Sequence, residues 1–274
     1  MASTSASPPP AASAATAETP SPRPVCLVTG AAGGIGAACV RAFSGAGWHV
    51  GIAHLPGEAA QAAALAADCA AGTTLLLPLD VTDDAACRAA AAQAQARWGR
   101  IDALVQCAGT TRFVPHADLD ALDAAEFHRT YGVNVVGMYQ MARACAPVLA
   151  AASGQGAVVN ISSIGGLLGR GSSIAYAASK GAVNTMTVAL ARALAPAVRV
   201  NAIAPGFVVD GLPQRVLAAD ALARVEAAQT AAAPLRRVSQ PSEVAALAFF
   251  LATAAPGMTG EVLMMDNGLH LNAG

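Results

Sequence analysis

From Pro24 onward, short apolar runs alternate with longer alanine-rich stretches. Apolar runs bounded by turn residues read as buried strands. The stretches rich in alanine and leucine read as helices, since both are strong helix formers. The pattern predicts strands at Val25–Val28, His49–Ala53, Thr74–Leu77, Ala103–Gln106, Ala157–Ile161, Arg199–Ile203 and Glu261–Met264. Helices are predicted between them at 34–46, 57–70, 83–98, 124–151, 174–194, 213–229 and 241–253. Asp83 stands where a cap is favoured, and Pro241-Ser242-Glu243 puts proline and an acid in a first turn. Such alternation implies parallel strands joined by right-handed crossovers. The expected fold class is therefore α/β, a doubly wound parallel sheet of about seven strands with helices on both faces. Its ligand crevice should lie at the carboxyl ends of the strands.

Composition narrows the function classes. The 274 residues are 55% hydrophobic and 12% charged, which suits one well-buried α/β core. A net charge of −1 creates no global field to recruit nucleic acid or an anionic membrane, so neither is expected as a partner. The uncharged run Val244–Met258 is too short, and too broken by Pro256 and Gly257, to span a bilayer. Six cysteines show no CxxC spacing and five histidines are scattered, so no metal site is expected. The N-terminus lacks the basic start and apolar stretch of a secretory signal, and the first 22 residues lack arginine. A cytoplasmic location with free thiols is the expectation. Residues 1–23 form a low-complexity Ala/Ser/Thr/Pro tail, expected to be disordered, ahead of one domain at 24–274.

Two features carry candidate chemistry. Lys180 is the only lysine, the other fifteen basic residues being arginine, and it lies four residues after Tyr176. A helix puts the two on one face, one turn apart. An ammonium is a compact point charge, where guanidinium is a broad planar fork, so a lone lysine beside a phenol suggests a chemical role over a surviving surface charge. The second feature is Thr29-Gly30-Ala31-Ala32-Gly33-Gly34-Ile35-Gly36, which follows an apolar strand and opens a helix. Glycines there let the backbone approach a pyrophosphate, and the helix N-terminus offers donors and partial positive charge. A plain tight turn is the bland alternative.

With these residues in hand, the chain resembles the short-chain dehydrogenase/reductase family, in its classical branch. The TGxxxGIG turn is matched by residues 29–36 and the Tyr-xxx-Lys pair by Tyr176 and Lys180. The family's catalytic serine is matched by Ser163 in NISSIGG and its helix-borne asparagine by Asn134 in YGVNVVGMY. Its aspartate after the third strand is matched by Asp80 in LDVTD, and its Pro-Gly by Pro205-Gly206. The resemblance spans residue 24 to about 271 and implies a single-domain Rossmann-type fold that binds a nicotinamide dinucleotide. It also implies hydride transfer between that cofactor and a carbonyl compound or secondary alcohol. Ser163 would hold the substrate oxygen, Asn134 would help hold a water chain, and Lys180 would also bind the nicotinamide ribose. Gly30, Gly34, Ile35, Gly36, Asp80, Val81, Ala108, Gly109, Pro205 and Gly206 would contact the cofactor with Tyr176 and Lys180. Taken singly, Ser163 could satisfy a strand end, Asn134 could bond a neighbouring strand, and Asp80 could cap the next helix. Tyr131 and Tyr139 lack a lysine partner and are read as packing residues.

Elementary electrostatics agrees with the pairing. A free phenol titrates near ~10, too high for a base at neutrality. An ammonium about 4 Å away at an effective dielectric of about 20 favours the phenolate by roughly 4 kcal/mol, about three pKa units. Tyr176 would then serve as acid in reduction and base in oxidation. His54 ends the second strand, where an acid would bind the ribose diol of NAD and repel the 2′-phosphate of NADP. No acid stands at 54 or 55, so NADP(H) is preferred and NAD(H) stays open. His54 is a candidate phosphate contact.

Two positions depart from the family pattern. Cys107-Ala108-Gly109 replaces Asn-Ala-Gly, which puts a side-chain network on the central strand in doubt. Asp210 replaces a threonine that the resemblance places against the nicotinamide carboxamide. The segment between Phe207 and Pro234 is expected to form the substrate loop, and its Ala, Val and Leu content favours a partly apolar substrate. The pattern resembles 3-oxoacyl-[acyl-carrier-protein] reductase members. Arg236-Arg237 is the one basic cluster available to an acidic carrier protein. Sugar or small-alcohol dehydrogenation, and a catalytically silent dinucleotide-binding regulator, are the alternatives. The resemblance further implies a homo-oligomer, tetramer or dimer, built through the helices carrying Asn134 and Tyr176 and the C-terminal strand.

Overall fold

The structure, a computed structural model, describes residues 22–152 and 154–272. The expected disordered tail falls outside the described residues except for Pro22 and Arg23, both exposed. Seven parallel strands form one sheet in the order β3-β2-β1-β4-β5-β6-β7. They are β1 (Val25–Thr29), β2 (His49–His54), β3 (Thr74–Pro78), β4 (Ala103–Gln106), β5 (Gly156–Ile161), β6 (Val198–Pro205) and β7 (Val262–Met265). The order reverses between β1 and β4, which opens a crevice at their carboxyl ends.

The strand residues alternate between two cores. Cys26, Val28, Ala103, Val105, Ala157 and Val159 face a core shared with α1 (Gly34–Gly45), α2 (Ala59–Ala67) and α10 (Pro241–Thr253). Val25, Leu27, Leu104 and Val158 face the opposite core, closed by α3 (Asp84–Trp98), α5 (Met138–Ala150) and α7 (Ile174–Leu194). Burial on both faces explains why these strands read as unbroken apolar runs rather than as alternating ones.

Helix positions agree with the pattern, with three differences. The stretch expected as one helix at 124–151 is α4 (Ala124–Tyr131), a π-helical turn at Gly132–Gly137, and α5. The widened turn holds Asn134 over the loop after β4, where its amide brackets the Thr110 backbone. The stretch expected at 213–229 divides into α8 (Leu212–Val216) and α9 (Ala219–Ala232), because Leu217 and Ala218 are extended. A short α6 (Gly165–Leu168) follows β5, unforeseen in its glycine-rich sequence. Asp83 caps α3 as expected, accepting from Ala85 N at 2.8 Å and Ala86 N at 3.2 Å.

A buried polar ladder ties the central strands to α7. Gln106 Nε2 donates to Asn160 Oδ1 at 3.0 Å, and Asn160 Nδ2 donates to Thr187 Oγ1 at 2.9 Å. This bridge sits one residue before Cys107, so β4 keeps side-chain bonding to its neighbour without an asparagine at 107. Arg199, 4% exposed, reaches from β6 to donate to Leu251 O at 2.7 Å and Ala252 O at 2.9 Å. These bonds satisfy carbonyls in the last turn of α10.

Candidate active site

The Gly-rich turn lies between β1 and α1, at the crevice. Gly30 has φ +61°, and a Cβ there would stand 2.8 Å from the Ala108 backbone. Only glycine tolerates both that conformation and that approach. A Cβ on Gly36 would overlap the Gly30 carbonyl, and one on Gly34 would overlap the carbonyl of Asp210. The loop after β6 therefore lies directly across the turn.

Two cavities meet here. One, of about 300 Å³, runs along Thr29, Gly30, Gly34–Gly36, Asp80, Val81, Ala108 and Gly109. The other, of about 420 Å³, is lined by Ser163, Tyr176, Lys180, Pro205 and Gly206. Ile35, Cys107, Gly109, Thr111, Gly211 and Leu212 line both, so the two spaces are continuous. Asp80 is exposed to its cavity. Its Oδ1 accepts from Thr82 N at 2.9 Å and Thr82 Oγ1 at 2.8 Å, in a local turn rather than a helix cap. Among the expected cofactor residues His54 is misplaced. It is 2% exposed, its Nδ1 is 2.8 Å from Leu55 O, and it lines neither cavity. As the last residue paired in β2 it turns into the protein, away from both cavities. Asp210, at φ +52°, also lies off both linings and contributes its backbone carbonyl over Gly34.

The hydroxyl and amine groups converge from β5 and α7. Ser173 caps α7 by accepting from Tyr176 N at 3.2 Å, which sets the first turn carrying the phenol. Ser163 Oγ accepts from Gly165 N at 3.0 Å, leaving its own proton to donate. It lies close enough to the Tyr176 phenol to favour the phenolate form. Lys180 is 3% exposed, and its Nζ donates to Ile161 O at 2.8 Å. Asn134 is fully buried. Its Oδ1 accepts from Thr110 N at 2.8 Å, and its Nδ2 donates to Thr110 O and Ser179 Oγ, both at 3.0 Å. The amide is thus engaged with protein on every side, as a brace between the β4 loop and α7.

The electrostatics departs from the expected acidified phenol. Burial pushes Tyr176 up to about 12, with Ser163 pulling the other way. Burial also pushes Lys180 down to about 8. Lys180 Nζ lies 5.6 Å from the Tyr176 ring centroid and is committed to the Ile161 carbonyl. Desolvation therefore outweighs the attraction of that ammonium for the phenolate. At neutral pH the phenol holds its proton and can act as an acid.

Comparison with known proteins decides the family. The family described as enoyl-(acyl carrier protein) reductase matches residues 30–270. A protein assigned by name as ketoacyl reductase 2 of the granaticin polyketide synthase, from Streptomyces violaceoruber, is 38% identical over 250 residues, covering 90% of this chain and 96% of that protein. The chain belongs to the short-chain dehydrogenase/reductase family. Another relative of this short-chain dehydrogenase/reductase, L-fucose dehydrogenase of Mus musculus, is 35% identical over 253 residues, covering 91% of this chain and 89% of that one. A crystal structure assigned to a short-chain dehydrogenase/reductase from Burkholderia xenovorans superposes with a TM-score of 0.85 at 49% identity, covering 92% and 99% of the two chains. The protein is accordingly an oxidoreductase of alcohol and carbonyl groups, with a nicotinamide dinucleotide as cofactor and a small molecule as substrate. The cleft fits that cofactor: Gly30, Gly33, Gly34, Gly36 and Gly109 line it, leaving backbone rather than side chains along the turn, and the N-terminus of α1 opens onto it. Among the described residues no helix is long and apolar enough to cross a membrane.

Val225 and Gln229 of the expected substrate loop line the larger cavity, while Arg215 of the same segment lines the smaller one. Thr111, Phe113 and Ser172 on the larger cavity, and Leu55 and Glu58 on the smaller, carry no signal in the linear pattern. Thr111 and Ser172 are hydrogen-bonded to each other. Thr110 is held by Arg129 Nη1 at 2.6 Å, and Arg129 is itself paired with Glu126.

Proposed function

We propose that the protein reversibly reduces a ketone with an apolar body, using Ser163, Tyr176 and Lys180 for proton chemistry and Asn134 as their brace. The observation that carries this reading is that Ser163, Tyr176 and Lys180 line one largely apolar cavity, which opens into the glycine-lined cleft. The cofactor, when bound, supplies or accepts hydride and in its oxidised form carries a positive charge. Ser163 donates its free proton to the substrate oxygen and orients the carbonyl. Tyr176, protonated at neutrality, delivers a proton to that oxygen as charge develops. Lys180, brought down to about 8, holds a proton it can release near neutrality and anchors to β5 through Ile161. Gly30, Gly34, Ile35, Gly36, Ala108, Gly109, Asp80 and Val81 would hold the dinucleotide along the smaller cavity, with Pro205 and Gly206 on the larger one beside the reacting carbonyl.

A 3-oxoacyl thioester is the favoured substrate class, supported by Phe113, Ile164, Leu168, Phe207, Val208, Val225 and Leu269 in the lining and by the relative whose name is a ketoacyl reductase. The thioester is free rather than carrier-borne in this reading. Arg237 is paired with Glu243, and Arg236 donates to Ala231 O at 2.5 Å, so that cluster is engaged within the fold. A sugar or polyol is the second reading, favoured by Thr111, Arg170, Ser172 and Gln229 on the lining and by L-fucose dehydrogenase among the relatives. NADP(H) is the proposed cofactor, in a cytoplasmic homo-oligomer. Half-exposed Val136 and Tyr139 near Asn134, and Met264 on the edge strand, support that assembly, which light scattering would measure. A panel of β-ketoacyl thioesters, ketoses and small ketones, run with each nicotinamide, tests the whole. Cofactor binding without turnover of any carbonyl would overturn it in favour of a silent dinucleotide-binding protein.

A further inference from the structure

An ion pair crosses the mouth of the dinucleotide cleft. Arg215, on α8 in the loop after β6, donates through Nη1 to Glu58 Oε1 at 2.9 Å. Glu58 lies in the turn that follows β2. The other terminal nitrogen of Arg215, Nη2, stands over Gly33 so closely that a Cβ at 33 would overlap it. Both charged residues line the cleft, together with Gly33, Leu55 and Asp80.

A dinucleotide laid along a Gly-rich turn brings its adenosine ribose to the end of the second strand. There a carboxylate receives the ribose diol, or an arginine receives a 2′-phosphate. This chain has both groups, bound to each other, so recognition becomes a competition for two partners. Glu58 is engaged at both oxygens, Oε1 with Arg215 and Oε2 with Leu55 N at 3.4 Å. A neutral diol would have to replace a guanidinium charge. Arg215 has one nitrogen on Glu58 and the other over Gly33, where the absence of a side chain lets the guanidinium lie against the Gly-rich turn. A phosphate monoester carries about −1.5 to −2 charges and several acceptors, against one charge on the carboxylate, and matches the guanidinium fork.

We propose that Arg215 is the residue that selects a 2′-phosphorylated nucleotide, and that Glu58 holds it over Gly33 until the phosphate takes it. This rests on the NADP(H) reading. Isothermal titration calorimetry with 2′,5′-ADP and 5′-AMP tests it without turnover, on the wild type, Arg215→Gln and Glu58→Gln. The wild type is expected to bind 2′,5′-ADP about tenfold or more tighter than 5′-AMP, the scale of a charge-assisted pair. Arg215→Gln should lose that preference by weakening 2′,5′-ADP, with 5′-AMP bound as tightly as in the wild type or tighter, since Glu58 is freed for the ribose diol. Glu58→Gln should tighten 2′,5′-ADP by releasing the guanidinium. If the wild type prefers 2′,5′-ADP and Arg215→Gln keeps the preference, the role of Arg215 is overturned and the NADP(H) reading survives. If the wild type binds 5′-AMP as tightly as 2′,5′-ADP, the NADP(H) reading falls and the role of Arg215 falls with it.

Discussion

Replacing Lys180 by methionine removes an ammonium from a site that is 3% exposed and lowers its pKa from 10.5 to about 8. At about 1.4 kcal/mol per unit, keeping that charge at neutral pH costs the folded protein about 3 kcal/mol. Between pH 8 and 10.5 the unfolded chain holds this proton and the folded chain does not, so raising the pH stabilises the fold across that window. Below pH 8 the whole penalty stands; above 10.5 it is gone. Methionine fills a similar volume but leaves the Ile161 carbonyl without its 2.8 Å donor, at about 1–3 kcal/mol. The Lys180→Met variant should therefore equal or exceed the wild type by about 1 kcal/mol at pH 7, and fall below it by about 2 kcal/mol at pH 10.5. The firm quantity is the swing of about 3 kcal/mol in the difference between the two proteins, since groups common to both largely cancel. Urea unfolding followed by the fluorescence of Trp48 and Trp98 at several pH values measures it, with turnover recorded alongside. A difference that stays flat within about 1 kcal/mol over this range would refute the desolvated ammonium, and with it the reading of Lys180 as a proton-holding group tuned by burial.

Tyr176→Phe should lower turnover by about 10³-fold or more, with nucleotide affinity within about threefold by fluorescence titration. Gly36→Ala places a Cβ against the Gly30 carbonyl and 2.9 Å from Ala31 Cα, so it should abolish nucleotide binding and cost about 2 kcal/mol in thermal or urea unfolding. Arg199→Met strips two donors from the end of α10, and should cost about 2–4 kcal/mol by the same unfolding assay while leaving cofactor binding near the wild-type value.

Much of the architecture is legible without coordinates because it depends on local spacing. Strands buried on both faces show as apolar runs, and the turn at Thr29–Gly36 shows because glycine is demanded at each close approach. The pairing of Tyr176 with Lys180 shows for the same reason, since one helical turn brings them to one face. The π-helical turn at Gly132–Gly137 does not show, because the bonds that hold Asn134 there reach Thr110, 24 residues away in sequence. His54 is misjudged because whether the last strand residue turns inward or outward depends on the neighbouring strand and helix. Arg215 and Glu58 are 157 residues apart, and only the fold lays one across the other.

Residue order alone determined the doubly wound parallel sheet, the glycine-lined turn and the facing of Tyr176 and Lys180 along one helix, because periodicity, propensity and helical spacing act over a few residues. Tertiary structure decided how those side chains titrate. Burial raises Tyr176 and lowers Lys180, and the ammonium, 5.6 Å from the Tyr176 ring centroid, donates to the Ile161 carbonyl. Desolvation is set by everything that packs around a group, which no local stretch of chain contains.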